Sequence, residues 1–358
     1  AELEFKPGTR LLTCPYCRKE NEIPQLEEEV QEQDFESVLA ELGDKQEGHE
    51  VITVRCDSCR AEVPMAPNVT SQSCPFCGSN IVATGTSQKH IKPRSLLPFA
   101  VDRNKARDMF RQWLAGRWFA PGKLKQFALI DDAKGTKGTG LAGVYLPYWT
   151  YDCKTTTPYT GQRGDDYFVS VPVTVMVNGK PTTQMRQERR TRWTWVSGSV
   201  ENVFDDVLVA ASTSLPLDQL SEVGADNSSW DLKDLVPYSD QYLAGFTAES
   251  YTVDLPTGFN TARGIMEEEI QATIRSDIGG DHQRISEMRP AYRNITFKHI
   301  LLPVWVAAYR YNNKVYRFLI NGRTGRIAGE RPYSAWKIAF VVGLGVLAVL
   351  VIVLIANR

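Results

Sequence analysis

Six of the seven cysteines fall in Cys-x-x-Cys pairs: Cys14/Cys17, Cys56/Cys59 and Cys74/Cys77. Each pair puts two thiolates on one tight turn, and two such turns complete a closed, tetrahedral Zn2+ site. Cys56/Cys59 and Cys74/Cys77 are separated by 14 residues, the length of a short hairpin. These four are therefore the candidate ligands of one structural zinc. In Cys74-Pro75-Phe76-Cys77-Gly78 the proline stiffens the turn, and Gly78 is free to take left-handed backbone after the second thiolate.

Cys14/Cys17 lie 38 residues upstream of the next pair. The stretch Leu3 to Leu12 reads as strand, Pro7-Gly8 turn and strand leading into Cys14. Residues 1–25 are thus expected to be the second half of a zinc-ribbon hairpin whose first Cys pair precedes residue 1. With that pair present, Cys14 and Cys17 would serve a second zinc. Paired thiolates of this kind call for a reducing compartment.

The other end carries an equally strong signal. Ile338 to Ala356 is a run of 19 residues without a polar or charged side chain. As a helix it would span about 28 Å, close to the hydrocarbon thickness of a bilayer. Tyr333, Trp336 and Lys337 precede it, as interfacial anchors do. Arg323, Arg326, Arg331 and Lys337 lie before it and Arg358 after it, a bias that puts the body on the cytoplasmic side. Residues 336–358 are expected to be a single transmembrane anchor.

A net charge of −1 conceals segregation. Residues 20–50 hold twelve acids and Lys45, whereas residues 89–125 hold ten Lys/Arg against Asp102 and Asp108. The acidic insert, 26–50, contains a helix from Leu26 to Leu42, read as a solvated linker or a partner-docking helix. The basic stretch contains a helix from Asp102 to Phe119, with Asp102 as N-cap and Ala106, Met109, Phe110, Trp113 and Leu114 at helical spacing. Its arginines would face nucleic acid, anionic headgroups, the acidic insert or solvent.

With residues 51–90 a complete ribbon, 91–335 remain as an α+β domain rich in antiparallel sheet. It contains an echo: Leu146-Pro147-Tyr148-Trp149 and Leu302-Pro303-Val304-Trp305 each open a strand. Val171–Val177 followed by Asn178-Gly179, and Lys314–Ile320 followed by Asn321-Gly322, carry hairpin signals. A weak internal duplication of a β-meander follows. Helices are expected near Phe204–Ala211, Leu217–Glu222, Leu232–Leu235 and Asn260–Met288, with a kink or break at Gly279-Gly280.

No catalytic set emerges. His49, His90, His282 and His299 belong to no metalloprotease or nucleophile signature. Gly135 to Gly140 lacks the Gly-Lys-Ser/Thr ending of a phosphate loop. Cys153 reads as a buried small apolar residue. Glu267, Glu268 and Glu269 read as an exposed helix face. Trp193 and Trp195 alternate with Arg190 and Arg192, and the favoured reading is a tryptophan core face with arginine outside; base stacking is the other.

The chain resembles bacterial membrane-anchored proteins labelled as TFIIB-type zinc ribbons or as primosomal-helicase-like, which are encoded beside PspA-family and SPFH (flotillin-like) proteins. The matching stretches are Cys74–Gly78, Ile91–Phe99, Gly143–Trp149, Phe204–Leu208, Tyr242–Phe246, Thr296–His299, Leu302–Tyr309 and Gly329–Pro332. The resemblance implies recruitment of those partners at the inner membrane rather than a reaction, with no nucleic acid and a homo- or hetero-oligomer. The resulting expectation is a non-enzymatic, tail-anchored zinc-ribbon adaptor. The alternative is a nucleic-acid-binding zinc-ribbon protein at the membrane.

Overall fold

The computed structural model describes residues 3–24, 30–44, 49–56, 60–64, 71–74, 76, 80–82, 86–116, 141–177, 180–224, 230–311, 314–330 and 335–356. Three short strands open the chain, β1 (Glu4–Lys6), β2 (Leu11–Thr13) and β3 (Glu20–Glu22), paired in that order. Then follow β4 (Gln33–Asp34), α1 (Phe35–Asp44), β5 (His49–Arg55), β6 (Glu62–Pro64), β7 (Ser71–Ser73), β8 (Asn80–Val82) and β9 (Thr86–His90). Strand β5 pairs with β6 and β9, and β7 pairs with β8 in a separate ribbon.

The body begins with β10 (Ser95–Leu96) and α2 (Arg103–Ala115). Two long strands come next, β11 (Ala142–Val177) and β12 (Lys180–Ala210), then α3 (Leu217–Gly224), β13 (Val236–Pro237) and β14 (Thr247–Ala248). Helix α4 (Leu255–Ile278) leads to β15 (His282–Met288), β16 (Ala291–Tyr311), β17 (Lys314–Asn321), β18 (Ile327–Gly329) and α5 (Ala335–Ala356). Strands β12, β11, β16, β10 and β13 form the spine of a ten-stranded sheet.

Helix α4 shows why the sheet buries one face. Leu255, Phe259, Ala262, Met266, Ile270, Ile274 and Ile278 recur at helical spacing and pack on Trp149, Tyr151, Cys153 and Tyr159 of the sheet. Asp254 caps the helix by accepting from the Thr257 N–H at 2.8 Å. A Cβ on Gly258 would lie 2.4 Å from the Tyr151 hydroxyl, so glycine lets the first turn sit directly on the aromatic floor. Gly279, at φ 63°, ends the helix. The expected helix Asn260–Met288 is thus corrected: Gly279-Gly280 stops it, and His282–Met288 is a strand.

The Leu-Pro-x-Trp segments lie inside β11 and β16 rather than at strand starts, and they pair antiparallel with Leu146 opposite Leu302. The two halves repeat their contacts. Trp149 donates its indole N–H to Val253 O at 2.9 Å, and Trp305 to Val101 O at 2.9 Å. Those two valines precede the N-cap residues Asp254 and Asp102. The Ala211 and Gly322 N–H groups donate to Pro147 O and Pro303 O at 3.0 and 2.8 Å. Strand β14 runs parallel to β11 at Val144–Tyr145, as β10 does to β16 at Ile300–Leu301.

Other expectations shift. Phe204–Ala211 is strand through Ala210, paired with β11, not helix. Leu232–Leu235 is reduced to a 3-10 turn over Leu232–Asp234. In the acidic insert the helix is α1, and its Phe35, Val38 and Leu39 pack into the α4 core, so its apolar stripe is used within the chain.

The expected architecture of two zinc ribbons, an α+β body and a membrane helix is corrected to this sheet-rich fold. The three Cys-x-x-Cys segments belong to three separate small sheets. Among the described residues no helix is long and apolar enough to cross a membrane, which overturns the single-pass inner-membrane placement. Helix α5 is 22 residues by its backbone.

Candidate functional site

The cysteine turns are built alike. At the first, the Arg18 N–H donates to Cys14 O at 2.9 Å and the Cys14 N–H to Lys19 O at 3.0 Å. At the second, the Arg60 N–H donates to Cys56 O at 2.7 Å and the Cys56 N–H to Ala61 O at 2.8 Å. Arg18 and Arg60, each following the second cysteine of its pair, have φ 58° and 63°. Strand pairing repeats as well: Thr13↔Glu20, Arg55↔Glu62 and Ser73↔Asn80 bracket the three turns in one register.

Non-glycine residues enter the left-handed region only where the surroundings hold them there. Its recurrence just past two Cys pairs is a shared backbone property of the two turns. Cys56 and Cys74 lie buried in one cluster with Val54, Ala61 and Phe76. Cys14 is buried and Cys17 exposed on the β2–β3 turn. Cys59 and Cys77 lie outside the described residues. Hydrogen bonds from the backbone at Cys17 and Tyr16, and then from the Cys17 side chain, hold the Cys14 thiol below its ordinary range.

A second cluster was missed by sequence reasoning. Glu32, Asp152 and Asp205 each offer a carboxylate oxygen, the three within 4.8 Å of one another, so the trio could hold a metal ion. The pairing of β11 slips across Asp152 toward β12, between Tyr151 and Cys153, and just after it toward β16, between Asp152 and Lys154. The Asp206 N–H, at φ 54°, donates to Asp152. Thr296 Oγ1 donates to Glu32 Oε2 at 2.6 Å.

Lys298 supplies the counter-charge. Its Nζ lies 2.8 Å from Asp206 Oδ1, 3.3 Å from Glu32 Oε1 and 3.8 Å from Asp152 Oδ2. Burial, aided by hydrogen bonding with Glu32, pushes the Asp152 carboxyl up to about 7. Burial also opposes charge on Glu32, but hydrogen bonds from Thr296 and with Asp152, and the Lys298 charge, outweigh it and lower its pKa. Burial disfavours the Lys298 ammonium, yet Asp206, Asp152 and Glu32 raise its pKa. The cluster sets four carboxyl groups, Glu32, Asp152, Asp205 and Asp206, around a single ammonium, so its acidic charge is only partly balanced. Asp205, Asp206 and Lys298 sit inside stretches that the sequence marks only by resemblance, and Glu32 and Asp152 stand far apart in the chain.

The remaining candidates separate. His299 is buried against Trp149, ring centroids 4.6 Å apart, and donates from Nδ1 to Ile91 O at 2.8 Å. His282 Nε2 lies 3.2 Å from Asp166 on the sheet surface. His49 and His90 are paired in the backbone register of β5 and β9. Cys153 is buried, where desolvation pushes its thiol up to about 11. Glu268 and Glu269 are exposed on α4. The loop Gly135–Gly140 lies outside the described residues.

The expected tryptophan core face is reversed. Trp195 is 70% exposed, and the guanidinium of Arg284 lies 3.8 Å from the Trp193 ring centroid on the sheet surface. Helix α4 covers the opposite face, carrying Tyr159, Val196 and Ile285.

Fold and sites define a sheet-built body with cysteine turns at its N-terminal end and a half-buried carboxylate–lysine network. The chain is 25% identical over 258 residues to an uncharacterized protein, YdjG, of Bacillus subtilis (strain 168), covering 70% of this chain and 67% of that protein. No family model matches the chain. No solved structure matches it. The identification of the N-terminal region as zinc-ribbon domains is corrected accordingly.

Proposed function

We propose that this is a non-enzymatic docking protein in which Cys56, Cys59, Cys74 and Cys77 hold one structural Zn2+. Cys14 and Cys17 offer half of a further thiolate set. The observation that carries this reading is the shared turn: the same two hydrogen bonds and the same left-handed residue recur after Cys14 and after Cys56. Burial of Cys56 and Cys74 in one cluster supports their pairing. Bound zinc would supply a closed cross-link and no reaction chemistry. The cross-link would fasten strands too short to be stable alone.

The proposed partners are those implied by the resemblance, an SPFH/flotillin-like protein and a PspA-family protein. The test is a calorimetric titration of each purified partner into zinc-loaded and chelator-stripped protein. Saturable binding that weakens at least about tenfold on stripping is expected, since a partner that binds only the ordered platform pays for its ordering when the metal is gone. Binding indifferent to metal, or no binding to either partner, would contradict the reading.

A further inference from the structure

We propose that the outer edge of β12 binds an acidic, extended polypeptide segment that adds to the sheet as a further strand. The inference rests on the docking reading but uses a surface remote in sequence from the cysteines. Among the described residues β12 pairs with β11 alone, so its other side is an open edge. Strand β15 leaves β11 at Gly164↔His282. Beyond that row, from Asp165 to Val177, β11 and β12 continue as a two-stranded arm. At about 3.3 Å per residue that arm is roughly 40 Å long.

Two-stranded hairpins are marginal in water by themselves. This one is exposed at every position from Pro181 to Arg190. It also presents apolar side chains to solvent, with Phe168 68%, Met176 69% and Met185 64% exposed. A long open edge with apolar neighbours is a template for another strand.

Charge selects the occupant. Arg186, Arg189, Arg190 and Arg192 lie along β12 with Glu188 among them; Arg189 pairs with Asp166 and Arg190 with Glu188, each at 3.5 Å, and basic charge still exceeds acidic over 186–192. Antiparallel pairing of two copies centred on Arg189 would set Arg189 against itself and Arg186 against Arg192 in two rows, and these like-charge rows outnumber the two that set Glu188 against Arg190. An acidic strand meets the opposite situation. Nucleic acid fits less well, because the open edge of β12 offers backbone N–H and C=O groups in alternation, which another strand satisfies and a phosphate backbone does not. Exposed Trp195 and the Arg284–Trp193 pair at the arm's base give an incoming strand aromatic anchors.

The full chain is titrated with a fluorescent alternating Glu-Val peptide, its Gln-Val counterpart, a Glu-Val peptide N-methylated on alternate residues, and oligothymidylate. The Glu-Val peptide is expected to bind about tenfold or more tightly than the Gln-Val one, and to weaken with salt. The N-methylated peptide should not bind, because strand addition uses its N–H groups. The double variant Arg189→Glu/Arg192→Glu should erase the preference, and Trp195→Ala should weaken binding while circular dichroism stays unchanged. Equal binding of the Glu and Gln peptides, an unaffected charge-reversed variant, no peptide binding, or tighter binding of oligothymidylate would each overturn the proposal. None of these variants touches the cysteines, so such a result leaves the metal site standing.

Discussion

Leu146 of β11 lies directly opposite Leu302 of β16, so the two Leu-Pro-x-Trp segments meet antiparallel at the centre of the sheet. Each tryptophan then reaches the backbone that precedes a capped helix, Trp149 to Val253 and Trp305 to Val101. The duplication is a repeated hydrogen-bond scheme that ties each half's helix start to the sheet.

Trp305→Phe keeps an aromatic ring and removes the donor, leaving the Val101 carbonyl unsatisfied. A loss of about 1–2 kcal/mol is expected. Trp149→Phe should cost a similar amount for the same reason at Val253. The sites serve different helices, so the two losses should add. Urea unfolding of both single variants and the double variant checks this; strong non-additivity would count against two independent ties.

Lys298→Met leaves Glu32, Asp152 and Asp206 without their ammonium. Removing the buried partner of an ionic network whose carboxylates are partly exposed costs about 1–3 kcal/mol, less than in a dry core. The same variant opens the carboxylates to a divalent cation, so Ca2+ should raise its melting temperature and leave that of the parent protein nearly unchanged. Thermal scans with and without Ca2+ decide it.

The raised Asp152 carboxyl gives a pH signature. Its folded pKa of about 7 lies above the ordinary value, so the folded state holds a proton that the unfolded chain has released. Its contribution to stability is full below about pH 4 and is lost as pH rises toward 7. The lowered Glu32 pKa acts in the opposite sense, contributing above the ordinary carboxyl range and fading as pH falls below it. Asp152→Asn should flatten the decline of stability between pH 5 and pH 7, roughly the window those values define. An unchanged pH profile in the variant would show that Asp152 titrates elsewhere.

Local signals in the sequence carried well. Asp102 does cap α2, accepting from the Asn104 and Lys105 N–H groups at 2.9 Å. The hairpin expected at Asn178-Gly179 has its flanking strands paired up to Val177↔Lys180. What failed depended on tertiary partners. Phe204–Ala211 has helix-compatible spacing, but pairing with Tyr148–Cys153 makes it strand. Trp193 and Trp195 alternate as core residues would, and only the position of α4 determines which face is buried. Asp152, Asp205, Asp206, Glu32 and Lys298 come from four distant segments, and no spacing rule could assemble them.

The central claim is that cysteine turns with one shared geometry hold a structural metal. Zinc content of the purified full chain, measured alongside the Cys56→Ser/Cys74→Ser variant, tests it most directly. About one zinc per chain in the parent protein is expected, released by chelator together with loss of N-terminal structure and absent from the variant. A parent protein that is folded and free of zinc, or a variant that keeps it, would contradict the account.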